Sequence, residues 1–415
     1  MRRTGPSRGT VPGRSTSCET RRYDEHVPGR TTVVTDPLDR FRVAAAERER
    51  AGLHRTLRPR TAGDGVLDLA SNDYLGLARD PRVVQAAADA ALTWGGGSTG
   101  SRLVTGTTRL HEELEESLAD FTGAPSALVF SSGYLANVGA VTALSGPGTT
   151  IVSDAANHAS LVDACRLSRA SVVVTPHGDA DAVTRALANR QTEHAVVVTD
   201  SVFSVDGDIA PLSALHAAAR QYGALLIVDE AHALGVVGDE GRGAVHDAGL
   251  AGEPDVVRTA VLSKSLGSQG GVVLGAPEVR TTLVDTARSF IFDTGLAPAA
   301  VGAALAALAV LRAEPWRPGQ TRAHAQTLAG LVARAGMEPN VPAAAVVSGL
   351  LRNPHAAVAA QARCAEHGVR VGCFRPPSVP PGRSCLRLTG RADLTAADLE
   401  RVSVALGSLV EVTAQ

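Results

Sequence analysis

The 415-residue chain alternates between apolar runs and helical segments, which predicts an α/β fold with a mostly parallel sheet. The strand-like runs are continuously apolar, as is typical of strands buried on both faces of a sheet. The segments between them carry apolar residues at helical spacing. The predicted strands are 127–130, 150–153, 171–175, 195–199, 225–228 and 272–274, and the clearest helices are 110–118, 135–144 and 213–222.

The same patterns predict the domain organisation. Residues 1–35 read as a disordered basic tail, because they are rich in Arg, Thr, Ser, Gly and Pro and lack apolar periodicity. Residues 36–75 contain a helix (38–57) and a short strand (66–70), which we expect to pack with the small domain. Residues 76–312 form the large domain, and 313–415 form a small α+β domain with helices at 321–335 and 356–367 and strands at 344–347 and 385–389.

Composition excludes several classes of function. A net charge of -2 gives no basic excess for nucleic acid. The 12 histidines form no cluster at metal-ligand spacing, so no metal is expected, and the five scattered cysteines suit a reducing cytoplasm. The most apolar stretch, 295–311, is short and contains Pro298, so we interpret it as a buried helix and expect no membrane span.

Lys264 is the only lysine among the 40 basic residues of the Lys and Arg types. An arginine is always charged and is a poor nucleophile, whereas a desolvated lysine can lose its proton and attack a carbonyl group. Lys264 lies among small residues and glycines beside apolar runs, in 259–271. This setting favours a lowered pKa and therefore a reactive amine.

Asp229 ends the apolar run 225–228, where an unpaired carboxylate would be costly, so we expect a cationic partner such as a metal, an arginine or a protonated pyridine. His232 follows closely and could face the same space. The Asp-Glu-Ala-His spelling of 229–232 also occurs in helicases. That interpretation fails because Lys264 is the only lysine and has no phosphate-loop glycines before it.

Two further turns complete the pattern. Residues 131–134 join a predicted strand to a helix, where free backbone N–H groups suit a phosphate. His158 follows another strand and could stack on a flat ring. Together with Lys264 and Asp229, these features are the parts that pyridoxal 5′-phosphate requires.

The sequence resembles the α-oxoamine synthases, a family of fold-type I pyridoxal-phosphate enzymes, from about residue 38 to the C-terminus. This resemblance implies a large domain with a seven-stranded sheet. The matching segments are 71–77 (SNDYLGL), 97–102 (GSTGSR), 158–160 (HAS), 200–208 (DSVFSVDGD), 228–232 (VDEAH) and 262–267 (LSKSLG).

The resemblance implies a role for each matched residue. Lys264 would bind the cofactor covalently and move protons, Asp229 would pair with the pyridine nitrogen, and His158 would stack on the ring. Ser204 and His232 would contact the phenolic oxygen of the ring. The phosphate would bind at Ser132, Gly133, Tyr134 and Ser263, and at Thr294 from a second subunit. Relatives have a threonine where this chain has Val261, so the phosphate contacts differ here.

The segment 374–380 (FRPPSVP) resembles the family members of biotin biosynthesis. These members condense L-alanine with pimeloyl-CoA or pimeloyl-acyl carrier protein and are homodimers with shared active sites. Arg375 would clamp the amino-acid carboxylate, Asn72 would approach from the neighbouring subunit, and Arg55 or His54 would be the N-terminal substrate residue. The alternative substrates are glycine and acetyl-CoA, and a further alternative is an inactive relative that serves as an interaction subunit.

Overall fold

A computed structural model describes residues 36–410. The predicted tail at 1–35 lies outside the described residues, as does Cys18. The chain divides after Arg48 into two compact units. All three sheets and the predicted site residues from Arg55 onward belong to the second unit, Glu49–Gln415. Within the first unit the described part is mainly the start of helix α1 (Asp39–Arg50), which ends earlier than the predicted 38–57.

A seven-stranded sheet forms the centre of the second unit, as the resemblance implies. Its strands are β2 (Ser126–Phe130), β3 (Thr149–Asp154), β4 (Ser171–Thr175), β5 (His194–Asp200), β6 (Leu225–Asp229), β7 (Val256–Val261) and β8 (Gly271–Gly275). Their order is β2-β8-β7-β6-β5-β3-β4, and only β8 runs antiparallel to its neighbours. Most residues of β2, β3, β5, β6 and β8 are buried, as their continuous apolar runs predict. The prediction is wrong for β4, because this strand lies at the edge of the sheet and four of its five residues are exposed.

Strand β7 was absent from the sequence prediction because Arg258 interrupts its apolar run. The side chain of Arg258 is nevertheless only 1% exposed. Its guanidinium donates to the carbonyl of Thr122 at 3.1 Å and lies 3.7 Å from Glu230. A buried arginine that is satisfied in this way lets a central strand carry a charge.

Helices cover both faces of the large sheet. They are α2 (Pro81–Trp94), α3 (Arg109–Thr122), α4 (Gly133–Leu144), α5 (Ala159–Ser168), α6 (Ala180–Ala188), α7 (Leu212–Gln221), α8 (Ala244–Asp247), α9 (Pro277–Thr286), α10 (Arg288–Ile291) and α11 (Pro298–Ala313). Helix α11 is largely buried, which confirms the interpretation of 295–311. Among the described residues no single helix is long and apolar enough to cross a membrane. Only α11 with the following α12 (Arg317–Arg334) meets that test as a pair, with an 86° bend between them.

The remaining strands form two small sheets. Strand β1 (Leu67–Asp68) pairs with β10 (Val369–Arg370), and β11 (Gly372–Phe374), β12 (Cys385–Thr389) and β9 (Val346–Leu350) form an antiparallel sheet in that order. Helices α12, α13 (Pro354–Glu366) and α14 (Ala396–Gly407) pack on them around one apolar cluster. Strands β1 and β10 pair in parallel, Leu67 with Val369 and Asp68 with Arg370, and the packing of 36–75 with a small domain stays a prediction. The exact limits of a large and a small domain stay a prediction.

Candidate active site

Five strands of the large sheet deliver polar residues to one edge. Strands β3, β5, β6 and β7 are parallel, and β2 has the same direction because β8 runs antiparallel to both β2 and β7. The loops at their carboxyl ends are where ligands bind in such sheets. These loops carry the predicted residues Ser132, His158, Ser204, Asp229 and Lys264.

Asp229 is buried at the end of β6 and is held by neutral donors. One carboxylate oxygen accepts from the Asn137 side chain at 2.7 Å and the other from the backbone N–H of Ala231 at 2.8 Å. Asn137 also donates to Ser160 at 2.8 Å and accepts from Thr259 at 2.5 Å, so its orientation is fixed. Among the described residues Asp229 has no hydrogen-bonded cation, which leaves its charge available to a ligand.

His158 lies next to this carboxylate at the start of α5. Its Nδ1 is 2.7 Å from the hydroxyl of Ser160, and its backbone N–H donates to Asp200 at 3.0 Å. Burial lowers the pKa of His158, partly offset by the charge of Asp229. The residue remains exposed overall, so the ring is fixed in place while its surface is open to a ligand.

Lys264 follows β7, and its amine lies 2.9 Å from Nε2 of His232. Burial and, to a smaller extent, the charge of Arg387 lower the pKa of Lys264, whereas Asp229 and Asp200 raise it; the net pKa is about 8. Burial together with the nearby Lys264 also lowers the pKa of His232 well below its ordinary value. The amine therefore has a substantial neutral fraction near neutral pH, as the sequence predicted.

Behind His232 lies a hydrogen-bonded group that includes a buried cation. The Tyr74 hydroxyl is 2.6 Å from Nδ1 of His232 and donates to Asn72 at 3.1 Å. Arg387, on β12, donates to the same Asn72 oxygen at 2.8 Å. Asn72 thus contacts Tyr74 and Arg387 of its own chain, and the expectation that it reaches the site of a neighbouring subunit stays a prediction. Burial raises the pKa of Tyr74 to about 12, so its hydroxyl stays protonated.

The predicted phosphate residues surround the start of α4. Ser132 is the N-cap, and its hydroxyl accepts from the N–H of Leu135 at 3.2 Å. Gly133 packs so closely that an added Cβ would lie 2.1 Å from the side chain of Val261. Tyr134 is 45% exposed, and its hydroxyl donates to Asp163 at 2.8 Å. Val261 therefore braces this turn, and the backbone N–H groups at the helix start remain the predicted anion site.

Other predicted residues lie at the edge of the site. Ser204 is half-buried in the loop after β5, and Ser263 is exposed beside Lys264. The resemblance implies that the segment 292–294 approaches from a neighbouring subunit; within it Thr294 pairs with Ser101 in an isolated bridge and Phe292 is 70% exposed. The cofactor contacts of these residues stay predictions.

The two predicted substrate arginines lie together near β11. Arg375 donates to the backbone carbonyls of Gly52 and His54, and Arg55 donates to the hydroxyl of Ser378 at 3.2 Å. In this arrangement the bonds of Arg375 go to neutral groups of its own chain. Neither arginine contacts Lys264 or Asp229, and their substrate roles stay predictions.

Sequence reasoning missed Asn137 and Arg387 as site residues. Asn137 was noted only as part of a helix, and Arg387 lies in a predicted strand. The signal was present, because a charged residue between apolar neighbours in a short strand needs a partner. Arg387 is 5% exposed, and its Nε has no hydrogen-bond partner among the described residues.

Comparisons with known proteins agree with this geometry. The profile of the aminotransferase class I and II family matches residues 64–406. The chain is 64% identical to the 8-amino-7-oxononanoate synthase of Mycolicibacterium gilvum, over 86% of this chain and 93% of that protein. Among solved structures it resembles serine palmitoyltransferase from S. paucimobilis, which was solved with PLP and myriocin, with a TM-score of 0.85 at 29% identity over 92% of this chain and all of that one. It also resembles 8-amino-7-oxononanoate synthase from Francisella tularensis, with a TM-score of 0.71 at 25% identity, over 84% of this chain and 98% of that one.

Proposed function

Because this chain belongs to the aminotransferase class I and II family, and within it to the 8-amino-7-oxononanoate synthases, we propose that it makes 8-amino-7-oxononanoate for biotin biosynthesis. The reaction joins L-alanine to a pimeloyl thioester and releases carbon dioxide and the free thiol. The observation that carries the proposal is the 64% identity over 93% of a curated synthase. The cofactor we propose is pyridoxal 5′-phosphate.

The residues of the site fit this cofactor. The carboxylate of Asp229 is buried, fixed by Asn137 and lacks a bonded cation among the described residues, so it suits a protonated pyridine nitrogen. The ring of His158 offers an open face, and the amine of Lys264 suits an aldehyde. When bound, the cofactor supplies an electron-withdrawing ring that stabilises negative charge at the α-carbon of an attached amino acid.

The residues of the chain then perform the proton transfers and the binding. Lys264 removes the α-proton of alanine, because a pKa of about 8 leaves its amine partly neutral at working pH. His232 lies within hydrogen-bond distance of that amine and orients it. The carboxylate of Asp229, which accepts from the Asn137 side chain and the backbone N–H of Ala231, would pair with the protonated pyridine nitrogen.

We propose Arg387 as the residue that binds the carboxylate of alanine, in preference to Arg375. The guanidinium of Arg387 is connected through Tyr74 and His232 to Lys264. The Nε atoms of Arg387 and Arg375 both lack a partner among the described residues, so this connection to Lys264 is what favours Arg387. A buried guanidinium with unused donors is suited to bidentate contact with a carboxylate. Arg375 and Arg55 would lie further out, toward the acyl chain.

The proposed partners are L-alanine, pimeloyl-CoA or pimeloyl-acyl carrier protein, and a second copy of the chain. Phe292 is exposed, and Thr294 is held near it by a bridge to Ser101. We propose that a second copy of the chain binds at this surface and that Thr294 contributes to the phosphate site of that copy. We also propose a cytoplasmic location.

Product analysis by mass spectrometry tests the proposal. Purified protein with pyridoxal 5′-phosphate is incubated with alanine or glycine, each with pimeloyl-CoA or acetyl-CoA. We expect 8-amino-7-oxononanoate from alanine with pimeloyl-CoA as the dominant product. Dominant condensation of glycine with acetyl-CoA would replace the proposal by the alternative specificity, and no product from any pair would refute it.

A further inference from the structure

His177 lies outside the site described above, yet it connects two of the loops that form it. It follows β4, and its two ring nitrogens contact two carboxylates: Nδ1 lies 3.0 Å from Asp154 and Nε2 lies 2.9 Å from Asp208. Its ring also packs edge-on against Phe203 at 4.2 Å.

Each carboxylate belongs to a different site loop. Asp154 ends β3, and its oxygens also accept from the backbone N–H groups of Ala156 and Gly178, so it organises the turn that leads to His158. Asp208 closes the loop of residues 201–210, which contains Ser204. We call this segment the 201–210 loop.

The start of the 201–210 loop is bonded directly to the site. Both the backbone N–H and the hydroxyl of Ser201 donate to the carbonyl of Asp229, at 2.8 and 2.9 Å. Inside the loop, Phe203 N–H donates to the carbonyl of Asp208 at 3.1 Å. On its other side, Arg383 donates to Asp206 at 2.8 Å. His177 thus bridges the 201–210 loop, through Asp208, to Asp154 at the end of β3.

The geometry has a consequence for protonation. A neutral imidazole has one N–H donor, so it can satisfy only one of two carboxylates. With both nitrogens within 3.0 Å of carboxylate oxygens, the arrangement requires the charged, doubly protonated ring. Asp154 and Asp208 are the charged groups that act on His177, since Phe203 is neutral.

We propose that protonated His177 is a positioning residue that holds the 201–210 loop against the turn before His158, and that it releases the loop as it loses its proton. The effect on the reaction rests on the proposed function, because it acts through the contact of Ser204 with the cofactor. The effect on the loop itself does not depend on any ligand.

The direction of the pH dependence follows from linkage. Burial lowers the pKa of His177, but the hydrogen bonds and charges of Asp154 and Asp208 outweigh burial and raise it. The stabilisation is therefore fully present below the ordinary imidazole pKa of about 6.5. It is lost as the pH rises through the raised pKa of His177.

Hydrogen exchange of the apoprotein, followed by mass spectrometry at pH 6 and pH 8, tests the loop. After correction for the intrinsic rate, we expect amides of the 201–210 loop to exchange about threefold faster at pH 8, as suits a partly exposed pair. His177→Phe keeps an aromatic ring against Phe203 and should exchange fast at both pH values. A peptide containing His216, which bonds Asp255 at the opposite edge of the sheet, serves as the internal control.

Asp208→Asn is the decisive variant because it also tests the charge requirement. With an amide at this position, a neutral ring can donate from Nδ1 to Asp154 and accept at Nε2, so the loop should stay protected at both pH values. A wild-type loop without a pH step, or an unchanged step in Asp208→Asn, would overturn the proposal.

Titration of the same proteins with pyridoxal 5′-phosphate separates the two proposals. We expect wild-type affinity to fall between pH 6 and pH 8 by more than that of Asp208→Asn. Absence of cofactor binding with an intact exchange step would refute the proposed function and leave the His177 contact in place. Equal falls in affinity in both proteins would refute the link from the loop to the cofactor.

Discussion

The two halves of the site hold charge in opposite ways. The anionic half, Asp229 with Asp200, is surrounded by neutral donors from Asn137, Ala231 and the backbone. The cationic half, Lys264 with His232 and Arg387, is surrounded by neutral acceptors from Asn72 and Tyr74.

This difference explains the protonation states. In the cationic half, burial and mutual repulsion both disfavour charge, so the pKa values of Lys264 and His232 fall. In the anionic half, burial and the charge of Asp229 raise the pKa of Asp200 well above its ordinary value. The fold therefore provides an amine that loses its proton more easily than a free lysine, beside a fixed carboxylate, which is what the proposed chemistry needs.

The largest expected effect comes from removing the amine. Lys264→Arg keeps a positive charge but cannot act as a neutral amine, so we expect product formation to fall by about 10³-fold or more. The measurement is the initial rate of 8-amino-7-oxononanoate formation. Unchanged folding by circular dichroism is the control, and a rate within tenfold of wild type would contradict the role of Lys264.

The second largest effect is expected from removing the charge of Asp229. Asp229→Asn keeps the size of the side chain but removes its charge and replaces one of its two acceptor oxygens by a donor, so we expect kcat to fall by about 10²-fold. Glu230→Gln is the matched control, because Glu230 is equally buried but faces Arg258 and the N–H of Val245. That change should lower the free energy of unfolding and largely spare kcat, and the reverse pattern would refute the assignment.

Substitution of two arginines in turn tests which of them binds the carboxylate of alanine. Arg387→Gln should raise the KM for alanine by about tenfold to a hundredfold, because a charged hydrogen bond is lost. It should also raise the pKa of Lys264, since the charge of Arg387 lowers it. Arg375→Gln should leave the KM for alanine near the wild-type value, and the opposite ranking would restore Arg375 as the carboxylate ligand.

The smallest effect is on stability and has an unusual sign. The pKa of Lys264 is 10.5 in the unfolded chain and about 8 in the folded protein. Folding is therefore opposed at low pH, and Lys264→Met should raise the free energy of unfolding of the apoprotein by about 1–3 kcal/mol at pH 7. The gain should shrink between pH 8 and 10.5 in urea titrations. A loss of stability at pH 7 would show that the cationic half does not oppose folding.

Sequence alone was sufficient to single out Asp229 and Lys264, because a single lysine and an acidic residue after an apolar run are local signals. It was insufficient for the charges carried inside strands. Arg258 concealed β7, and Arg387 was read only as part of a strand, because each is satisfied by residues far away in the chain. The contact of His177 with Asp154 and Asp208 was also invisible, since it joins three separate loops.

The contacts of Asn72 also could not be predicted from the sequence. The resemblance gave its identity as a site residue, whereas its contacts with Tyr74 and Arg387 of the same chain required the fold. The strands β1 and β12 that flank it come together only through tertiary packing.

The most direct test of the whole account is chemical trapping of the cofactor. The protein is loaded with pyridoxal 5′-phosphate, reduced with borohydride, digested and mapped by mass spectrometry. We expect one stoichiometric adduct on the peptide that contains Lys264, the single lysine of the chain. A folded protein with that peptide unmodified, or with the adduct on the N-terminal amine alone, would contradict the account.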